Sequence, residues 1–181
     1  MTIAPCILAR FPGITWPALI AEAQREADLR RTTYPRLVAK GRMRQADADF
    51  QTAVMAAIAG EVAASMSVGT HAPDPRFSWA DRLRVLRREV DMRLKVYPDW
   101  IRKGRIALGT ARQQSAALEC LLALYEEGWA WQPANGTSPA WGKPHPTAAQ
   151  QASRTEWRDT WTQIEARRDA QNDNQQQRMA L

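Results

Sequence analysis

The chain has 181 residues, of which 45% are hydrophobic and 24% charged, with two cysteines and a formal net charge of +6 at pH 7. No run approaches the roughly 18 apolar residues that cross a bilayer, and the first residues lack the basic start and apolar centre of a secretory signal. We therefore expect a cytoplasmic protein without a membrane segment, long enough to bury a core.

The first predicted helix begins at Trp16. Thr15, directly before it, can accept a hydrogen bond from the free amide groups of a first helical turn. Apolar residues recur at helical spacing along one face, and Glu26 and Arg30 stand four residues apart on the opposite one. We interpret that charged face as solvated, with an ion pair within the helix.

Tyr34 and Pro35 are expected to break or kink this helix, because proline disfavours the α conformation in the residue before it. Pro35 then suits the first position of a short new helix, and Gly41 suits its left-handed end. Tyr34 would plug the resulting corner with its hydroxyl outward. A second long helix at about 44–65 completes a kinked helical hairpin.

The same pattern returns 63 residues later. Residues 12–53 and 75–116 share fourteen identities in 42 positions without a gap, where chance gives about three. The sequence therefore predicts a tandem duplication, with Ser78 as the second helix cap. The residues expected to shape both copies are Trp16 and Trp79, Tyr34 and Tyr97, Pro35 and Pro98, and Gly41 and Gly104.

The predicted fold is all-α. Two kinked helical hairpins bury their apolar sides against each other in a bundle, followed by an extended segment rich in proline and tryptophan and by a C-terminal helix. The predicted divisions are helical repeat 1 at 12–66, helical repeat 2 at 75–128, the extended segment at 129–147, the C-terminal helix at 148–170 and a disordered tail at 171–181.

Positive charge is concentrated in the two copies. Residues 25–44 carry a net +5 and residues 82–105 a net +6, and Arg outnumbers Lys by 21 to 4. Capping of helix ends needs only one or two cations per copy, so the excess predicts a negatively charged partner. The predicted contact residues are Arg30, Arg36, Lys40, Arg42, Arg84, Arg87, Arg88, Arg93, Lys95, Arg102, Lys103 and Arg105.

Catalytic and metal-binding patterns are weak. His71, His145, Cys6 and Cys120 have no ligand-like spacing, which disfavours a zinc site. No phosphate-binding loop, nucleophile elbow or dinucleotide fingerprint occurs in the sequence. We therefore expect a protein that is not an enzyme and that binds neither a cofactor nor a metal.

The pattern R-E-x-x-x-R followed by Y-P-x-x-x-x-x-G is carried by residues 25–58 and, less fully, by residues 88–121. It resembles a short helical element of uncharacterised proteins from bacteriophages and prophages. The resemblance covers under half of the chain and implies a phage or prophage origin, without an assigned activity. The second copy departs from the pattern after Gly104.

Two functions remain open at this stage. The first is binding of DNA or RNA through the duplicated basic helical surfaces, with arginine facing backbone phosphates. The second is an adaptor or inhibitor that binds an acidic host protein involved in defence or in nucleic-acid handling. The chain would bind that host protein through its own basic surface and through Trp129, Trp131 and Trp141, since aromatic residues dominate interface hot spots.

Overall fold

A computed structural model describes residues 7–64 and 74–127 of the chain. No strand occurs in these two stretches, so the all-α prediction is confirmed for them, and none of their helices is long and apolar enough to span a bilayer. The helices are α1 (Trp16–Ala39), α2 (Gln45–Ala64), α3 (Trp79–Arg102) and α4 (Leu108–Glu126). Outside the described residues lie the predicted segments 129–147, 148–170 and 171–181.

The starts of α1 and α3 follow the predicted capping residues. The Thr15 hydroxyl accepts a hydrogen bond from the amide of Ala18 at 3.4 Å. Ser78 accepts one from the amide of Asp81 at 3.1 Å, and the Asp81 carboxylate accepts one from the Ser78 amide at 2.9 Å. This reciprocal pair is a capping box, which satisfies two amide groups that the helix itself leaves free.

Of the break or kink predicted at the Tyr-Pro pairs, the break is wrong. Pro35 and Pro98 both lie inside uninterrupted helices that continue to Ala39 and Arg102. A proline within a helix costs about 3 kcal/mol, but contacts with the next helix stabilise these last turns. The buried tyrosine before each proline donates its hydroxyl to a glutamine of the following helix, at 3.0 Å in α2 and 2.9 Å in α4. The hydroxyls therefore do not point outward.

Glycine ends α1 and α3 as predicted. Gly41 and Gly104 have φ angles of +65° and +67°, in the left-handed region. The amide of the residue after each glycine donates to the carbonyl five residues earlier, at 2.9 Å and 2.8 Å. This bond is typical of a Schellman end, in which the backbone reverses and exposes the side chains that follow the glycine.

We expect Gly41→Ala and Gly104→Ala each to lower the free energy of unfolding by about 1 kcal/mol, because a side chain strains the left-handed conformation. No atom lies within 4 Å of an added Cβ at either position, so steric overlap does not contribute. Gly60→Ala, in the interior of α2 with equally open space, is the matched control and should stabilise the protein. Urea denaturation measures all three, and a gain at Gly41 or Gly104 would contradict this account.

One apolar core connects the four helices. α1 packs on α2 and α3 on α4, and further contacts join α1 with α4 and α2 with α3. Two tryptophans lie at the starts of α1 and α3, where each donates its indole N–H to a backbone carbonyl. Trp16 donates to Val62 at 3.3 Å, and Trp79 donates to Tyr125 at 2.7 Å. The two contacts join positions that are equivalent at the 63-residue offset.

Candidate nucleic-acid interface

A network of buried charges joins α1 and α3. Arg30 of α1 donates to Glu89 of α3 at 2.9 Å, and Arg93 of α3 donates to Glu26 of α1 at 2.5 Å. The two pairs are the same contact made in both directions, because position 93 is equivalent to 30 and position 89 to 26. Glu22 adds a second carboxylate to Arg93. The network therefore ties one half of the described chain to the other.

Arg30 and Arg93 were predicted as surface contacts, and that prediction is wrong. Their residues are only 2% and 3% exposed, and carboxylates surround both guanidinium groups. The prediction of a solvated charged face on α1 is wrong for the same reason. Helical spacing places these side chains on one face but does not reveal that the opposing surface is another helix with complementary charge. Neither arginine can contact an external partner in this arrangement.

The pKa values of two carboxyl groups in the network are shifted in opposite directions. Burial, followed by the nearby charge of Glu26, raises the pKa of Glu89. For Glu26 burial acts in the same direction, but the charges of Arg93 and Arg30 outweigh it and lower its pKa. Glu89 therefore contributes stability at acid pH that is lost as the pH rises. The contribution of Glu26 is lost as the pH falls through its lowered pKa.

The contacts between α1 and α3 run in opposite directions along the two helices. Glu22 meets Arg93, whereas Tyr34, twelve residues further along α1, accepts a hydrogen bond from Arg88 at 3.2 Å. The C-terminal ends of α1 and α3 therefore point away from each other. We call the segment 36–44 corner 1 and the equivalent segment 99–107 corner 2. A rise of about 1.5 Å per residue over helices of 24 residues separates them by about 36 Å along the helix direction.

Most of the other predicted contact residues are exposed. Arg87 is the exception, because it is half-buried and donates twice to Glu126 at 3.2 Å. Arg82, which adds to the positive charge of the second copy, is fully buried against Glu61. The predicted contact residues on the surface are Arg36, Lys40, Arg42, Arg84, Arg88, Lys95, Arg102, Lys103 and Arg105.

Some of these exposed cations are already engaged within the chain. Arg84 pairs with Asp81 at 2.6 Å, and Lys103 pairs with Asp99 at 2.7 Å. Arg102 also contacts Asp99. A second set makes no ion pair with any carboxylate in the described stretches. Its members are Arg36, Lys40 and Arg42 at corner 1, Arg88 and Lys95 on α3 and Arg105 at corner 2, and of these Arg88 donates to the neutral side chains of Tyr34 and Gln51.

Both corners lie in stretches poor in acidic residues. No Asp or Glu occurs between residues 29 and 46, and Asp99, at the first position of corner 2, is the last acid before residue 119. The left-handed glycines place Arg42 and Arg105 directly beyond the helix ends. Part of this charge balances the partial negative charge at each helix C-terminus. The remaining cations without a carboxylate partner in the described stretches create a local positive potential, which makes the corners suitable for phosphate groups.

A second buried cluster was not predicted from the sequence. The Arg82 side chain donates to Glu61 at 3.0 Å, and the Tyr125 hydroxyl donates to the same carboxylate at 2.7 Å. Burial, and then Glu61, raises the pKa of Tyr125. The available signal was Glu61 itself, a single acid in the apolar second half of α2. A buried acid of this kind indicates a paired cation elsewhere in the fold.

The described residues offer little for metal binding. No group of three His, Cys, Asp or Glu side chains in residues 7–64 and 74–127 could hold a metal ion. Of the weak zinc candidates only Cys120 is described. It is buried, and burial raises the pKa of its thiol to about 12, so it stays protonated. Outside the described residues lie Cys6, His71, His145, Trp129, Trp131 and Trp141.

Comparison with known proteins adds no relative. No protein-family model matches the chain, and neither a curated protein nor a solved structure is significantly similar to it. The exposed charges and the helix geometry of this chain are therefore the basis for inferring its function.

Proposed function

We propose that this chain is a non-enzymatic accessory protein of phage or prophage origin that binds nucleic acid through corners 1 and 2. The observation that carries the proposal is the set of exposed cations without an ion pair at the corners, Arg36, Lys40, Arg42 and Arg105. Backbone phosphates supply the charge that these side chains lack, and their binding releases counterions. The buried arginines serve the fold and are not part of this interface.

The distance between the corners supports a polymeric ligand. The two corners are about 36 Å apart along the helix direction, and phosphates along one strand of a duplex are spaced by about 3.4 Å. About ten nucleotides are therefore needed to contact both corners at once. A shorter oligonucleotide would contact one corner and bind more weakly, because the second contact adds avidity only when the ligand reaches it.

We also infer that the two corners descend from one ancestral hairpin by tandem duplication. The reciprocal Arg30–Glu89 and Arg93–Glu26 pairs support this inference, because copies related by a twofold axis exchange contacts in this way. The paired tryptophan and tyrosine contacts at the same offset add to it. Duplication would explain why two positive corners of similar composition occur in one chain.

The interface can be tested by removing cations from both corners. We expect the variant Lys40→Ala, Arg42→Ala, Lys103→Ala, Arg105→Ala to bind a 20-nucleotide DNA at least tenfold more weakly at 50 mM salt. Its log–log salt dependence should be shallower by about 3, since each lost phosphate contact removes about 0.7–0.9. Fluorescence anisotropy across 50–300 mM salt measures both quantities.

A control comes from two exposed arginines outside both corners, one before α1 and one before α3. Arg10 and Arg76 are exposed arginines paired with Glu127 and Asp74, and their double alanine variant should bind almost as the wild type. Equal weakening of DNA binding in this control variant would show that the net charge of the protein, and not the position of its cations, determines the affinity. Wild-type binding that does not change between 50 and 300 mM salt would overturn the proposal and favour an acidic protein as the partner.

A further inference from the structure

One aromatic side chain at corner 2 remains exposed. Trp100, in the last turn of α3, is 38% exposed. Within the described stretches the other exposed large apolar side chains are Leu29 and Met92, which lie in the middle of α1 and α3. Trp100 alone among the three combines an aromatic ring with the positive charge of a corner.

A buried stack holds Trp100 in place. Its ring stacks on Tyr97 with ring centres 5.8 Å apart and planes inclined by 28°. The guanidinium of Arg93 lies 5.6 Å from the centre of the same tyrosine ring. The Tyr97 hydroxyl donates to Gln114 at 2.9 Å, which fixes the ring against α4. The indole is therefore supported from within the fold while part of it contacts solvent.

The exposed indole lies in a turn with several cations. Arg102 and Lys103 follow two and three residues later and pair with Asp99. The amide of Arg105 donates to the Trp100 carbonyl at 2.8 Å, and Arg105 itself makes no ion pair in the described stretches. The backbone reversal at Gly104 thus keeps Arg105 close to the turn that carries the tryptophan. An aromatic face with phosphate-binding side chains around it is the arrangement by which proteins hold single strands.

Corner 1 shows that the fold does not require the indole. Arg30 lies 5.9 Å from the ring centre of Tyr34, as Arg93 does for the equivalent Tyr97. The residue equivalent to Trp100 is Leu37, which is half-buried. The same internal stack can therefore end in leucine. A tryptophan in its place exposes apolar surface to water, which costs free energy. Packing within the fold therefore does not explain why a tryptophan is present.

We propose that Trp100 is a stacking platform for an unpaired base, so that corner 2 recognises single-stranded nucleic acid; this inference rests on the proposed function. In a duplex both faces of each base are covered by neighbouring bases, whereas a single strand can turn a base onto the indole. Arg105, which has no ion pair in the described stretches, then contacts a flanking phosphate. Corner 1, which lacks the aromatic ring, contacts phosphate only.

The test compares ligands with and without bases. Wild-type protein, Trp100→Leu and Trp100→Phe are titrated with a 15-nucleotide oligothymidine, a 15-base-pair duplex and inorganic polyphosphate at one salt concentration. We expect Trp100→Leu to lose about tenfold in affinity for oligothymidine and to bind polyphosphate as the wild type does. Trp100→Phe should retain most of the affinity for oligothymidine, because its ring also stacks.

Leucine at position 100 copies the residue at corner 1, and unchanged thermal unfolding shows that the variant is folded. Equal losses for oligothymidine and polyphosphate would overturn the stacking role, because the tryptophan would then act only on the surrounding charges. Unchanged binding of oligothymidine by Trp100→Leu would overturn it as well. A wild-type protein that binds none of the three ligands would overturn the proposed function and this inference together.

Discussion

Replacing Arg93 with methionine is expected to lower the free energy of unfolding by about 3–5 kcal/mol, one of the two largest effects proposed for a single change in this protein. The substitution keeps much of the side-chain length but removes the guanidinium that Glu22 and Glu26 share. Arg25 still pairs with both carboxylates and Arg30 with Glu26, but in a low-dielectric interior the lost cation leaves their negative charge only partly compensated. Chemical denaturation at pH 7 measures the loss, which corresponds to about 10 °C in melting temperature.

The pH dependence of this loss identifies its cause. Burial raises the pKa of Glu26 and the charge of Arg93 lowers it, so removing Arg93 raises that pKa and acidification then neutralises the carboxylate more readily. The difference between Arg93→Met and the wild type should therefore be largest near neutral pH and shrink towards pH 4. Arg105→Met, at an exposed position, should change stability by less than about 0.5 kcal/mol. A pH-independent loss would point to packing rather than to unpaired charge.

Replacing Arg82 alone with leucine is expected to cost about 3–5 kcal/mol, whereas adding Glu61→Leu should recover most of that loss. The single change leaves Glu61 buried and unpaired, and the double change removes both charges. The other half of the chain supports this expectation, because its equivalent positions hold Leu19 and Leu124, both fully buried. Each half thus fills the same location in a different way, one with an ion pair and one with leucines.

A double-mutant cycle from urea denaturation of the two single variants and the double variant measures the coupling. We expect a coupling energy of about 3 kcal/mol. Tyr125→Phe is included in each background, because the Tyr125 hydroxyl would otherwise lose its acceptor on Glu61. A double variant as unstable as the sum of the single variants would show that the pair does not stabilise the fold through mutual charge.

The sequence was sufficient for the local features of the fold. Periodic apolar residues predicted the second helices at 44–65 and 108–127, close to the observed α2 and α4. Thr15 and Ser78 begin the first helix of each half, and the left-handed glycines end it, as predicted. These features depend on a few neighbouring residues, whose hydrogen bonds and backbone preferences act over one helical turn.

Prediction failed where distant residues decide the outcome. Proline in isolation favours a break after Tyr34 and Tyr97, but hydroxyl bonds to the next helix keep both last turns helical. The exposure of Trp100 also depends on what packs around it and has no local signature. Such effects are sums over contacts between segments far apart in the chain, which single-residue preferences do not contain.

The sequence by itself determined where α1 and α3 begin, the left-handed glycines at their ends, the helices α2 and α4, and an excess of positive charge in two similar stretches. Only the tertiary structure decided which of those charges face solvent. Arg30 and Arg93 belong to the same runs of charge as Arg42 and Arg105, yet the first two are buried in pairs and the last two are exposed. The reason is electrostatic: a guanidinium can be buried only where carboxylates from another helix replace its hydration, and that meeting exists only in the folded chain.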